Sequence, residues 1–314
     1  MVIRYNVPPP QSIQQVPRRQ SRGGCGCCLT TLLLGVLLVA GGVLLAMFLL
    51  VADGRTNVLV LGVDRRPEEG YAARADAIMI ITGDPALPAL GLFSVPRDLY
   101  LPIPGRGENR INTAHFFGEL EQTGTGPLRT MQVIQDTMAV PLHGWVRIDF
   151  DGFRAVIDSV GGIDMDVEAV IVDDAYPTED YGTMRIEIPA GLQHMDGEQA
   201  LQYARTRHSS SDLKRAERQQ KVALALVQQA IRPANWVRLP QVVKTIRQAV
   251  DYDVSVLSGL RLGLAIVRVG PEDAERLVIG QDMVTPYTTP GGAAVLLPNW
   301  DRIQRAVDPF FALQ

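Results

Sequence analysis

Residues 57–98 read NVLVLGVDRRPEEGYAARADAIMIITGDPALPALGLFSVPRD. Three short apolar runs lie inside this stretch, at 57–63, 77–82 and 90–95, each with the length of a buried strand. Asp64 closes the first, Gly83-Asp84-Pro85 the second and Pro96 the third. The 83–88 turn is short, so the second and third strands pair antiparallel. The 65–75 link is short for a parallel crossover, so the first two are antiparallel as well. In such a meander the exit of strand one, the start of strand two and the exit of strand three share one end of the sheet. Asp64, Arg74, Asp76, Arg97 and Asp98 therefore converge from separate parts of the chain. Two carboxylates, with water and the phosphate oxygens of a substrate, make a plausible ligand set for Mg²⁺.

A second charged cluster lies further on, in YARTRHSSSDLKRAERQQK at 203–221. Upstream, Asp196 and Gln199 have the spacing of a capping box and predict a short helix through Tyr203. Arg205 and Arg207 are two apart and would point the same way on an extended segment. The polar run 209–212 offers caps for a second, longer helix reaching about residue 231. Lys214, Arg215 and Arg218 then fall in its first turns, where the helix dipole disfavours cations. An anion between them resolves the conflict, and guanidinium forks at a helix N-terminus suit phosphate or pyrophosphate. Read without that anion, the run is a solvated basic helix face.

Upstream of the meander, 1–24 is rich in Pro, Gln and Arg and reads as a disordered tail. From Gly23 to Ala52 no charge occurs, and 25–52 is long enough to cross a bilayer as a helix. Arg4, Arg18, Arg19 and Arg22 precede it, which predicts a cytoplasmic N-terminus and everything after Asp53 outside a cytoplasmic membrane. All three cysteines, Cys25, Cys27 and Cys28, sit at the start of that span, so the external part folds without disulfides. The net charge of −4 gives no bulk attraction to nucleic acid.

Between and beyond the two clusters the pattern predicts helices at 113–121 and 127–138, a strand at 146–150, a helix at 153–160 stopped by Gly161-Gly162, and a strand at 163–167. Met131, Ile134 and Met138 form an apolar stripe, read as core or as a wall for a lipid tail. The polar 106–112 loop could extend the basic rim through Arg110. The acidic 173–180 segment lacks the Gly-centred spacing of a Ca²⁺ loop and reads as a solvated loop. Helical candidates follow at 235–250 and 255–267, then a covering hairpin or edge strand and a short helix after Pro298. No zinc spacing links the histidines, and neither a nucleophile elbow nor a Walker loop occurs.

The ordered set NVLVLGVDRR, RADAIMIIT, FSVPRDLYLPIP, NRINTAHFFG, VRIDFDGFRAVIDSVGGIDMDV, IPAGLQHMDGEQALQYARTRHSSSD and KRAERQQ resembles the LytR-CpsA-Psr family of membrane-anchored phosphotransferases, over about 57–231. The resemblance implies a three-layer α/β/α domain around a mixed sheet, at 53–232, with 233–314 packed on it as an extension. It implies transfer of a phosphoglycan from a polyprenyl-pyrophosphate carrier to a cell-wall acceptor hydroxyl. Asp64 and Asp76 resemble the family's Mg²⁺ (or Mn²⁺) carboxylates. Arg74, Arg97, Arg205, Arg207 and Arg215 resemble its pyrophosphate-binding arginines, with Arg218 and Gln219 at the polar end of the same helix. The expected catalytic set is Arg97, Asp98, Arg205 and Arg207, with Arg110 in the phosphate rim. Water as acceptor, or lipid binding without catalysis, remain readings of the same residues; intact Asp64, Asp76 and arginines speak against the second.

Overall fold

The computed structural model describes residues 54–65, 72–178, 180–206 and 212–311, with positions 35, 38, 39, 41 and 42 of the N-terminal stretch. The expected tail and nearly all of the expected 25–52 span lie outside the described residues. Among the described residues no helix is long and apolar enough to cross a membrane. Two compact units separate by their contacts: Met1–Phe48, and Leu49–Gln314, which includes the whole C-terminal part.

The sheet of the larger unit grows from the expected meander. Strands β1 (Thr56–Val63), β2 (Ala75–Asp84) and β3 (Ala89–Ser94) pair antiparallel in sequence order. β6 (Gly144–Ile148) adds parallel to β1, and β11 (Val250–Val254) antiparallel to β6. β12 (Glu275–Val278) adds parallel to β3, completing the order β11-β6-β1-β2-β3-β12. A mixed sheet results, with both faces apolar along the central strands. One face, including Leu59, Leu61, Ile78, Ile80 and Phe93, packs against α1 (Asn112–Glu121), α2 (Gly126–Met138) and α8 (Trp300–Phe311). The other, through Met79, Leu90, Leu92, Val60 and Ile81, meets α5 (Asp212–Ile231) and α7 (Val256–Val269). This is a three-layer α/β/α arrangement. Met138 is buried and Met131 packs on the first of these cores, so the stripe on α2 is core.

A third apolar cluster joins α3 (Phe150–Ser159), α4 (Gly197–Arg205), the inner side of α5 and of α6 (Leu239–Ala249), and two antiparallel strand pairs. β7 (Ile163–Val167) pairs with β10 (Gly191–Met195), and between them in the chain β8 (Ile171–Pro177) and β9 (Thr183–Ile188) form a hairpin.

Several boundaries depart from the sequence reading. The acidic 173–180 segment is largely strand β8; a register shift between Asp173 and Tyr176 breaks the alternation that would have revealed it. The 106–112 loop contains β5 (Gly107–Arg110), hairpinned to β4 (Tyr100–Ile103). The single helix expected at 235–250 is a 3-10 turn (Pro233–Arg238) followed by α6, and the chain then turns directly into β11. α3 starts at Phe150, three residues earlier than its apolar period, because Asp149 caps it and accepts from the Gly152 amide at 2.9 Å. It stops at Gly161 and Gly162, whose φ values of 88° and 84° suit glycine. The terminal hairpin, β13 (Val284–Thr288) with β14 (Ala294–Pro298), and the helix after Pro298 are as expected.

Candidate functional site

The exits of β1, β3 and β6 and the start of β2 lie at one end of the sheet, as the pairing requires. The charged residues there form two linked groups. In the first, Arg97 Nη1 donates to Asp76 Oδ1 at 2.8 Å. Arg97 Nε also lies 3.5 Å from Asp98 Oδ2, and Arg110 Nη1 lies 3.5 Å from Asp98 Oδ1. Arg110 is the last residue of β5, so the short β4–β5 hairpin delivers it to the rim. Its partner Asp98 is fixed through its backbone, whose carbonyl accepts from the Leu296 amide of β14 at 3.0 Å.

The second group hangs from the C-terminus of α4. The capping box expected for that helix is present: Asp196 Oδ1 accepts from the Gln199 amide at 2.9 Å and the Gln199 side chain returns to the Asp196 amide at 3.3 Å. At the other end of α4, Arg205 Nη2 lies 3.7 Å from Asp64 Oδ2. The Arg205 guanidinium stacks on the Phe150 ring at 3.9 Å and faces Tyr176, whose hydroxyl accepts from Nη1 at 3.4 Å. A guanidinium held by its flat face keeps its N–H edge directed, which is how an arginine fork is preorganised for a planar or tetrahedral oxyanion. Burial pushes the Tyr176 phenol up from its usual pKa, opposed by the Arg205 charge, so the phenol stays neutral at ordinary pH.

Sequence reasoning missed Phe150 and Tyr176. Phe150 looked like a strand end, and Tyr176 sat in the segment taken as a loop. Asp173 was missed for the same reason. It is buried and accepts from Thr206 Oγ1 at 2.7 Å, pinning the residue that follows α4.

The remaining expected residues divide. Arg215 is buried near the start of α5. Arg218 turns to the Thr206 carbonyl, to which Nη2 donates, and to the Tyr203 ring at 6.0 Å; burial lowers its pKa from the usual arginine value. Its guanidinium ties α5 to the end of α4. The next buried polar residue is Gln220, beyond Gln219, and it bridges α5 to the sheet through Leu92 O, Ser94 Oγ and Leu277 O at 2.9–3.2 Å. Arg74 is exposed and makes no ion pair among the described residues. Arg207 lies outside the described residues.

Asp64 and Asp76 both sit at strand ends, partly open to solvent, with Arg205 beside the first and Arg97 beside the second. Their oxygens are hard donors of the kind Mg²⁺ prefers. Among the described residues no cluster of three or more acidic, His or Cys side chains could cage a metal unaided. The donor set therefore fits an ion that takes its other oxygens from substrate and water.

A cavity of about 400 Å³ lies at the same end of the sheet, lined by Val63, Arg65, Asp149, Arg147, His115 and Asp251 among others. Val63 and Arg65 line this cavity, whereas Asp64 between them meets Arg205 instead.

The LytR_cpsA_psr family model matches residues 46–290. The polyisoprenyl-teichoic acid–peptidoglycan teichoic acid transferase TagU of Oceanobacillus iheyensis is 31% identical over 202 residues, 64% of this chain and 59% of that protein. The chain spans less than two thirds of the length of the curated relatives it matches most strongly. Among solved structures, TagV of B. subtilis superposes with a TM-score of 0.66 at 23% identity, covering 83% of this chain and 99% of that one. TagT (YwtF of Bacillus subtilis), solved with bound octaprenyl pyrophosphate lipid, superposes with a TM-score of 0.60 at 21% identity, covering 84% and 92%.

Proposed function

The chain belongs to the LytR_cpsA_psr family, and from that premise we propose that it moves a phosphoglycan from a polyprenyl-pyrophosphate carrier to a cell-wall acceptor hydroxyl. The observation that carries the reading is the gathering of Asp64, Asp76, Arg97, Asp98, Arg110 and Arg205 at one sheet end. These residues come from strand ends, a hairpin and a helix C-terminus far apart in sequence, and each arginine is already aimed by a carboxylate or an aromatic face.

In this reading Arg97 and Arg205 exchange part of their carboxylate contact for the pyrophosphate oxygens. Arg110 and Arg215 border the same charge, with Arg207 on the segment between α4 and α5. The acceptor oxygen bonds to the glycan-side phosphorus, the bond from that phosphorus to the bridging oxygen breaks, and polyprenyl phosphate leaves. Preorganised guanidinium groups act on charge that grows on the bridging and non-bridging oxygens, with little reorganisation at the moment of reaction. We assign the hydroxyl's proton to Asp98, the one carboxylate of the three not needed for a metal. Asp64 and Asp76 would hold Mg²⁺ or Mn²⁺, which would supply neutralisation of the pyrophosphate. The uncharged 25–52 stretch would anchor the domain in the cytoplasmic membrane, with the site outside and the 1–24 tail inside. A reporter fused after Gln314 should be active only outside the cytoplasm; activity inside would reject that orientation.

The test of the reaction is binding and turnover of a prenyl-pyrophosphate glycan by Arg97→Lys and Arg205→Lys, with Arg185→Lys as control. Arg185 is an exposed residue of β9 paired with Asp174 at 3.1 Å. Lysine keeps the charge and loses the fork. Charge-assisted hydrogen bonds of about 1.5–3 kcal/mol each put the expected loss at roughly tenfold to a hundredfold for the first two. Parent-like behaviour of all three variants would remove the phosphate cradle.

A further inference from the structure

From Arg218 to Val250 the chain has six cations, Arg218, Lys221, Arg232, Arg238, Lys244 and Arg247, and no Asp or Glu. This is unusual in a protein with 34 acidic residues and a net negative charge. The second half of that stretch is the 3-10 turn Pro233–Arg238 and helix α6. α6 has one apolar stripe, formed by Leu239, Val242, Val243 and Ile246, and only part of it is covered. Val242 and Ile246, one turn apart, face inward to the third core. Leu239 and Val243, also one turn apart, carry the same stripe to its uncovered edge and are 40% and 48% exposed. The preceding turn continues that outer edge with Trp236 and Val237, 59% and 83% exposed. The Trp236 indole N–H already donates to the Ile231 carbonyl at 3.2 Å, so its ring can enter an apolar medium without leaving a polar atom bare. Lys244 and Arg247 are exposed, and neither has an acidic partner among the described residues.

The position of this surface in the fold is also informative. α6 runs antiparallel to α3. The Arg238 guanidinium lies against Gly161 at the C-terminal end of α3, and Ala249 lies against Gly152 at its start. α3 begins at the exit of β6, which is the end that carries the candidate site. The 3-10 turn therefore lies at the opposite end, where β1 starts and where the chain leaves the uncharged stretch before Asp53.

We propose that the turn Pro233–Arg238 and the outer side of α6 dock on an anionic lipid bilayer. Trp236, Val237, Leu239 and Val243 enter the boundary between headgroups and acyl chains, while Lys244 and Arg247 meet lipid phosphates. Exposed apolar side chains with Trp, flanked by cations and free of acids, have the composition of an interfacial helix. A soluble polyanion, such as a glycopolymer with phosphate groups, would engage the cations and leave the four apolar side chains in water. A bilayer accounts for both. The docked orientation sets the candidate site about one strand length, roughly 25 Å, away from the headgroups, a distance that an extended polyprenyl tail covers. The proposal rests on the membrane anchoring above, and it adds a second, reversible contact that fixes the tilt of the domain.

The test uses the full chain in vesicles of phosphatidylglycerol and phosphatidylcholine, or of phosphatidylcholine alone, with acyl chains brominated to quench tryptophan. The chain has three tryptophans, and subtracting the signal of Trp236→Phe isolates the one at issue. Brominated phosphatidylglycerol vesicles should quench Trp236. The doubly substituted Lys244→Glu, Arg247→Glu chain should lose that quenching by on the order of tenfold or more and still float with the vesicles. Flotation of the parent and both variants without any Trp236 quenching would overturn docking and leave the anchor standing. A Trp236 response to soluble poly(glycerol phosphate) but not to vesicles would overturn it in favour of a polymer site. A parent chain that does not float would remove the anchor, and docking with it.

Discussion

Arg147 and Arg205 stand at the same end of one sheet and are held in opposite ways. Arg147 rises from β6 between a buried carboxylate and a surface one: Nη1 donates to buried Glu119 Oε1 at 2.6 Å, Nη2 to the exposed Asp251 Oδ2 at 2.8 Å, and His115 Nε2 lies 3.4 Å away. Its side chain is 7% exposed and that of Glu119 not at all. Arg205 is gripped by its face, on Phe150, while its N–H edge meets contacts of 3.4 and 3.7 Å. Short bonds to carboxylates on two sides leave an arginine nothing to give a ligand. Long edge contacts on a clamped plane leave it ready to exchange them. The difference separates an arginine that holds the fold from one that serves a site, although both are paired with carboxylates.

The largest effect should come from breaking the buried set. Arg147→Met leaves the buried Glu119 side chain without its cationic partner and held only by the Gly124 and Gly126 amides, which costs about 3–5 kcal/mol. Thermal unfolding should shift down by roughly ten degrees. Adding Glu119→Gln should recover only part of the loss: the uncompensated charge is gone, but the amide nitrogen then meets the Gly124 or Gly126 N–H that donates to the carboxylate. If Arg147→Met alone melts like the parent, the buried set contributes nothing and the contrast with Arg205 collapses.

Arg205→Lys should show the reverse pattern. Its pairing with Asp64 is long and partly solvated, so the stability change should stay at about 1 kcal/mol or less. Prenyl-pyrophosphate binding should fall by roughly tenfold to a hundredfold. Calorimetry beside a binding assay on the same preparation reads both. Equal losses in the two measurements would make Arg205 a structural residue like Arg147.

The sequence carried this contrast unevenly. Asp64, Asp76, Arg97 and Asp98 were legible because three apolar runs with short links allow only a meander, and a meander forces their convergence. Arg205 was legible because its helix has a capping box and the next helix begins with cations, a pattern unsuited to an empty helix N-terminus. What holds Arg205 in place was not. Tyr176 and Asp173 lie on a strand whose bulge disrupts the period of two, and Phe150 opens a helix that its cap starts early. The buried set was also invisible: Glu119 and Arg147 look like ordinary surface charges until α1 and β6 are packed. β11 and β12 escaped because each is short and follows directly on helical pattern. The outer side of α6 needed the structure too, since Val242 and Val243 are adjacent and only packing shows which is covered.

The smallest effect is a pH dependence that probes the buried set from its neutral member. His115 Nδ1 lies 2.8 Å from the Ala73 carbonyl, so Nδ1–H donates there and Nε2 accepts from Arg147. Burial lowers the His115 pKa most; the hydrogen bond to Ala73 acts upward, the Arg147 charge acts downward and Glu119 acts upward, leaving it below the ordinary 6.5. A pKa depressed by folding means that the unfolded chain takes up the proton first as pH falls. The stability held by neutral His115 is therefore complete above 6.5 and is lost as pH drops through the lower, folded value. One proton bounds the slope at about 1.4 kcal/mol per pH unit. Unfolding followed between neutral and mildly acid pH should show a steeper loss for the parent than for His115→Gln, which has no imidazole to charge. In Arg147→Met one of the downward influences is gone, so the histidine should protonate at higher pH, an imidazole shift that NMR reads directly. Superimposable stability curves for the parent and His115→Gln would place the acid sensitivity elsewhere and detach His115 from the set that anchors Arg147.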